Sequence, residues 1–79
     1  MEPRQCRAAR ALLGWSQEQL ADAASVSVTT LRNYERGATV PVTNNLSALR
    51  VALETAGVEF IAENGGGAGL RMKKPSEAS

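Results

Sequence analysis

The sequence predicts a mainly α-helical domain of four short helices that ends in a short C-terminal β-hairpin. Three observations predict it. Two helix starts follow each other within Trp15 to Gly37, read WSQEQLADAASVSVTTLRNYERG, with only Ala24-Ser25-Val26 as a turn between them. Apolar residues recur at helical spacing as far as Ala56, where Gly57 supplies a stop. Beyond Gly57 the pattern VEFIA alternates and is rich in β-branched and aromatic residues, which favours extended structure.

The first helix runs from Pro3, suited to a first turn, to Leu13, and Gly14 ends it. Cys6, Ala9 and Leu13 share its apolar face, so Cys6 is read as a small core residue and not as a redox switch. The second helix is Gln17 to Ala24: Ser16 caps it, Gln19 returns the bond, and Trp15 staples onto Leu20. Ala21 is small enough to let the next helix pass close by. That third helix is Val28 to Arg36, capped by Ser27, with Val26 stapling onto Leu31 and Gly37 as its stop. Thr30 stands where a complete capping box wants Glu or Gln. Thr43 caps a fourth helix from Asn44 to Ala56, in which Leu46, Leu49, Leu53 and Ala56 form the apolar stripe.

After Gly57, Val58, Phe60 and Ala62 fall on one face of a strand and Glu59 and Ile61 on the other. ENGGGAG reads as a flexible loop, LRMK as a return strand and KPSEAS as a disordered tail. Gly65-Gly66-Gly67 is a hairpin turn on this reading. No Gly-Lys-Ser/Thr and no helix start follows it, as a phosphate-binding loop would require.

Two helices packed at a steep angle across so short a turn have the layout of a helix-turn-helix, which sets its second helix in the major groove of DNA. The core of that motif is 16–37, within a helical domain 1–57, followed by a hairpin extension 58–73 and a tail 74–79. A helix entering the groove by its N-terminal end reaches base edges with its first turn and the same side of the next, here Val28, Thr29, Arg32 and Asn33. Asn bonds adenine bidentately, Arg bonds guanine, Thr uses its hydroxyl or methyl, and Val meets a thymine methyl. The plainer alternative is a solvated helix face, strongest for Val28 and Arg32. Leu31 and Tyr34 point toward the core. Gln17 opens the second helix, where its side chain and the free backbone N–H groups suit a phosphate oxygen. Arg36 and Asn44 are weaker phosphate candidates, and Arg7 either binds phosphate or stays solvated.

The chain resembles the Xre-type regulators that share the lambda-repressor/Cro-like DNA-binding domain. The match is carried by Arg7 and Arg10, by Gly14, Ser16, Gln17, Glu18, Leu20 and Ala21, by Val26 and Ser27, and by Tyr34, Glu35 and Gly37. Ser25 departs from the pattern, because the family usually has Gly at that turn position, where a left-handed conformation costs any other residue. The resemblance implies a four-helix lambda-repressor-like fold, a phosphate contact from Gln17, and an ion pair between Arg10 and Glu35 that joins the first helix to the third.

Composition agrees with one small domain. The 79 residues allow a single core, and a chain this short gains from self-association. The formal net charge of +1 does not by itself point to nucleic acid, yet six of the nine basic residues, Arg4, Arg7, Arg10, Arg32, Arg36 and Arg50, lie in the helical region. One cysteine makes no internal disulfide, and without histidine the chain lacks the usual zinc ligands, so no metal or cofactor is expected. Glu18 and Asp22, four apart on the second helix, read as a solvated face, and an enzyme is not expected. No apolar stretch suits a membrane span and the start MEPRQCRAAR has no signal-peptide core, so the expected location is cytoplasmic, nucleoid-associated through DNA.

An isolated two-stranded hairpin is marginal in water and needs cover from its own helices or a second subunit. The sequence assigns Val58, Phe60, Ile61, Leu70 and Met72 to a homodimer interface that would set two recognition helices about 34–36 Å apart, one turn of DNA. The resulting expectation is a repressor that binds double-stranded DNA as a homodimer on a pseudo-palindromic operator. The alternative is an antitoxin or anti-activator module whose hairpin docks a protein partner, with DNA binding secondary.

Overall fold

The computed structural model describes residues 1–61 and 69–73. Four helices, α1 (Pro3–Leu13), α2 (Gln17–Ala24), α3 (Val28–Glu35) and α4 (Thr43–Thr55), precede an antiparallel pair, β1 (Val58–Ile61) and β2 (Gly69–Met72). Ala62, Gly65-Gly66-Gly67 and the tail 74–79 lie outside the described residues.

The helix ends follow from local chemistry. Ser16 accepts from the Gln19 backbone N–H at 3.1 Å while the Gln19 side chain accepts from the Ser16 N–H at 2.7 Å, closing a complete capping box. Ser27 accepts from the Thr30 N–H at 3.0 Å, and its own hydroxyl donates to Thr30 Oγ1 at 2.9 Å, so Thr30 occupies the box position without returning a bond to the backbone of Ser27. α1, α2 and α3 all close in the same way, through paired bonds that lead the chain out of the helix. In α1 these run from the N–H of Gly14 to Ala11 O and of Trp15 to Arg10 O; in α2, from Ser25 to Asp22 O and Val26 to Ala21 O; in α3, from Gly37 to Tyr34 O and Ala38 to Asn33 O. Each closure needs a left-handed residue. Gly14 and Gly37 supply it freely, whereas Ser25 is held at φ 56°.

Three helix boundaries differ from the sequence reading, among them the end of α4, which falls at Thr55 with Ala56 at its cap. α3 is one residue shorter, with Arg36 at its cap. Thr43 does not cap α4: it is already helical, and Val42 occupies the cap position without a side-chain cap bond. The chain enters through Pro41 and the extended Val42 and turns helical one residue early, which takes the Thr43 hydroxyl past the point from which it could cap.

The core is Leu20, Leu31, Leu49 and Leu53 with Cys6, Ala9, Ala21, Val26, Tyr34 and Val58. Leu13, Trp15, Val28 and Leu46 pack around it, half-buried. The hairpin pairs Val58 with Met72, Glu59 with Arg71, Phe60 with Leu70 and Ile61 with Gly69. It rests on the chain's own α1 and α4. Val58 is 1% exposed and Phe60 and Leu70 pack on the helical core, so much of the apolar cover that the sequence reading sought from a second subunit comes from the same chain. Val58 in particular faces inward and is not available to a partner. Ile61 and Met72 remain exposed. Arg50 lies over the Phe60 ring, 5.0 Å from its centre, and adds a cation–π contact between α4 and β1.

Candidate nucleic-acid interface

The site is built around a buried carboxylate. Glu35, in the last turn of α3, is 2% exposed, and its side chain receives donors from two other helices. Arg10 of α1 meets it as a two-pronged fork, Nε to Oε2 and Nη2 to Oε1, both at 2.7 Å. Gln17, the first residue of α2, donates Nε2 to Oε1 at 3.0 Å, and the Cys6 thiol donates to Oε2 at 3.3 Å. Arg7 Nη1 donates to the backbone carbonyl of the same residue, while Arg10 Nη1 also bonds Trp15 O at 3.0 Å and so ties the α1–α2 turn into the cluster.

Burial alone would push the Glu35 carboxyl up. The bonds from Arg10, Gln17 and Cys6, with the charge of Arg10, outweigh it and hold the group below the ordinary carboxylate range. The opposite holds for Cys6, where burial and then the adjacent Glu35 push the thiol up to about 12. A protonated thiol and an ionised carboxylate are the matched pair that this hydrogen bond needs. Cys6 is therefore the small buried residue expected from its helix face, with a polar task that its apolar neighbours in the sequence did not announce.

The carboxylate cluster fixes the end of α3 against α1 and α2, and with it the outward face of α3. Leu31, Tyr34 and Glu35 turn inward, and Tyr34 Oη donates to Met1 O at 2.8 Å. Thr29 and Arg32 are exposed, and Asn33 is half-buried on the same side. Val28 is half-buried and packs on the core, so less of it faces outward than its place in the first turn suggests. Arg36 closes the row and donates Nε and Nη2 to Asn33 Oδ1 at 3.1 and 3.0 Å.

Cationic groups rim this face. A cleft of about 270 Å³ is lined by Arg7, Arg10, Gln17, Arg32, Glu35 and Arg36. Arg10 spends its charge on Glu35, whereas Arg7, Arg32 and Arg36 have no acidic partner among the described residues. Gln17 must turn its NH₂ group to Glu35, because a carboxylate only accepts; one N–H of that group remains. Asn44 is exposed in the first turn of α4, whose backbone N–H groups no side chain caps among the described residues. The arrangement therefore offers hydrogen-bonding side chains along one helix face with three guanidinium groups beside it that have no acidic partner among the described residues, the combination that suits base edges flanked by phosphates.

A family model described as helix-turn-helix matches residues 7–60, well over half of the chain. The chain belongs to the helix-turn-helix family. No curated protein matches it. Membership makes this helix-turn-helix protein a DNA-binding transcriptional regulator in general terms. The matched span begins at Arg7 and ends at Phe60, so it takes in the Glu35 cluster, the outward face of α3 and the first strand of the hairpin. Among the described residues no helix is long and apolar enough to cross a membrane, and no group of three or more Cys, Asp or Glu side chains could hold a metal ion.

Proposed function

We propose that this helix-turn-helix protein is a sequence-specific repressor that binds a pseudo-palindromic operator in double-stranded DNA as a homodimer. α3 enters the major groove and reads base edges with Thr29, Arg32 and Asn33, with Val28 at the margin of the contact. Gln17, Arg36, Asn44 and Arg7 hold phosphates on either side. The observation that supports this most is the polar outer face of α3, locked in place from behind by Glu35 and flanked by arginines without acidic partners. A merely solvated helix does not call for a buried carboxylate that joins three helices behind it.

The homodimer reading rests on operator symmetry and on the exposed apolar remainder of the hairpin. Ile61 is 38% exposed and Met72 40%, and these two, with the outer parts of Phe60 and Leu70, form the surface offered to a second copy. Removing the whole hairpin would also remove Val58 from the core, so Ile61→Asp with Met72→Asp is the cleaner probe. Selection of bound sequences from random duplexes tests the function. Enrichment of a two-fold symmetric site supports it, and recovery of sequences no different from the starting pool contradicts it.

A further inference from the structure

We propose that Arg36 is a positioning residue that decides which base Asn33 reads, turning it from adenine toward guanine. The inference rests on the base-reading role of α3 set out above. An asparagine amide reads adenine by accepting from N6 with its carbonyl oxygen while donating to N7 with its NH₂ group. That oxygen is already engaged here: Arg36 donates to Asn33 Oδ1 through both Nε, at 3.1 Å, and Nη2, at 3.0 Å. A guanidinium carries donors and no acceptor, so the orientation of the amide is fixed by its partner, and two donors fill both acceptor positions of the oxygen. Asn33 then presents NH₂ alone. Guanine offers two adjacent acceptors in the major groove, N7 and O6, whereas adenine sets a donor beside its N7 that a clamped Asn33 cannot satisfy.

The clamp is held from the backbone. Arg36 N donates to Arg32 O at 3.2 Å, and the Asn33 carbonyl is anchored by Ala38 N at 2.9 Å, so the last turn of α3 keeps the two side chains three residues apart on one face. The adjacent Glu35 carboxylate does not compete, because it is taken up by Arg10, Gln17 and Cys6. Charge-assisted bonds are the stronger kind, so freeing the amide oxygen for adenine would sacrifice two of them. The remaining N–H groups of Arg36 stay available to a phosphate oxygen, and the clamp and the phosphate contact are compatible.

The test uses the full chain. Sites are first selected from random duplexes with the native protein, and the base pair whose identity ceases to matter in Asn33→Ala is located. Four duplexes differing at that base pair are then compared by competition for the native protein and for Arg36→Met, which keeps the aliphatic stem and removes every side-chain donor. The native protein is expected to favour guanine over adenine by about tenfold. In Arg36→Met the preference shifts to adenine, while all four duplexes weaken together through the lost phosphate contact. Arg36 is exposed, so the variant folds, and the ratio between duplexes is a readout that a general loss of affinity or stability does not move. A native preference for adenine overturns the proposal, as does a base ratio that Arg36→Met leaves unchanged or a selected site at which no position responds to Asn33→Ala. In each of those cases selection has succeeded and DNA reading stands; failure to select any site contradicts the reading itself.

Discussion

Arg10 grips Glu35 through two parallel bonds of 2.7 Å, and the carboxylate is 2% exposed while the arginine side chain keeps 19% of its surface. The pair joins the third turn of α1 to the last turn of α3. Removing one partner of a buried pair leaves the other charged and unsatisfied. Glu35→Ala is therefore expected to cost about 3 kcal/mol, a large share of the stability of so small a domain. Thermal melts of Glu35→Ala, Arg10→Ala and the double variant check this, since the double loss should fall well short of the sum. Additive losses would mean that the two side chains are not coupled.

The same carboxylate makes stability depend on pH. Its folded value lies below the ordinary 4.5, so the folded state binds fewer protons in the acid range and its contribution is fully present above that value. That contribution drains away as pH falls below 4.5 and through the lower folded value. The buried thiol acts at the other end: with Cys6 pushed from 9.0 up to about 12, its contribution is complete below 9.0 and is lost as pH rises toward 12. Melts across the acid range should show a steep decline for the native chain and a shallower one for Glu35→Gln. Parallel acid profiles would contradict the assignment.

Ser25 carries a strain that glycine would not. Its φ of 56° places a side chain in the left-handed region, at the one helix closure of the three without glycine. Relief of that strain outweighs the added freedom of the unfolded chain, so Ser25→Gly should stabilise by about 0.5 kcal/mol. A rise of a few degrees in Tm is expected for a domain of this size. An unchanged or lowered Tm would show that the turn accommodates serine at no cost.

Phosphate contacts differ from base contacts in their response to salt. Arg36→Ala should weaken binding to all duplexes and reduce the slope of log affinity against log salt by about 0.9, the loss of one neutralised phosphate. Gln17→Ala should weaken all duplexes alike with little change in slope, because the amide is neutral. If Arg36→Ala left the slope untouched, Arg36 would not hold a phosphate.

Much of this was legible from local sequence. Ser16 with Gln19, Ser27, Gly14 and Gly37 act within a few residues of themselves, so the helix limits follow from spacing alone. Thr43 shows where that logic stops: a threonine before an apolar repeat reads as a cap, but the backbone delivered by Pro41 and Val42 makes it the first helical residue. The partners of Glu35 were less legible. Arg10 entered through family resemblance, while Cys6 and Gln17 lie 29 and 18 residues from it and meet it only once the helices have packed. The cover over Val58 was hidden for the same reason, since an alternating strand shows which face is apolar and not what lies beneath it. The Asn33–Arg36 clamp had a readable signal in its three-residue spacing, although nothing in the sequence says which half of the amide the guanidinium takes.

The central claim is that the outer face of α3 reads sequence. Competition binding of Thr29→Ala and Asn33→Ala, each measured on a selected site and on random duplex, tests it most directly. Each variant should lose roughly 1–3 kcal/mol on the selected site and almost nothing on random DNA. Equal losses on both duplexes would contradict base reading by α3.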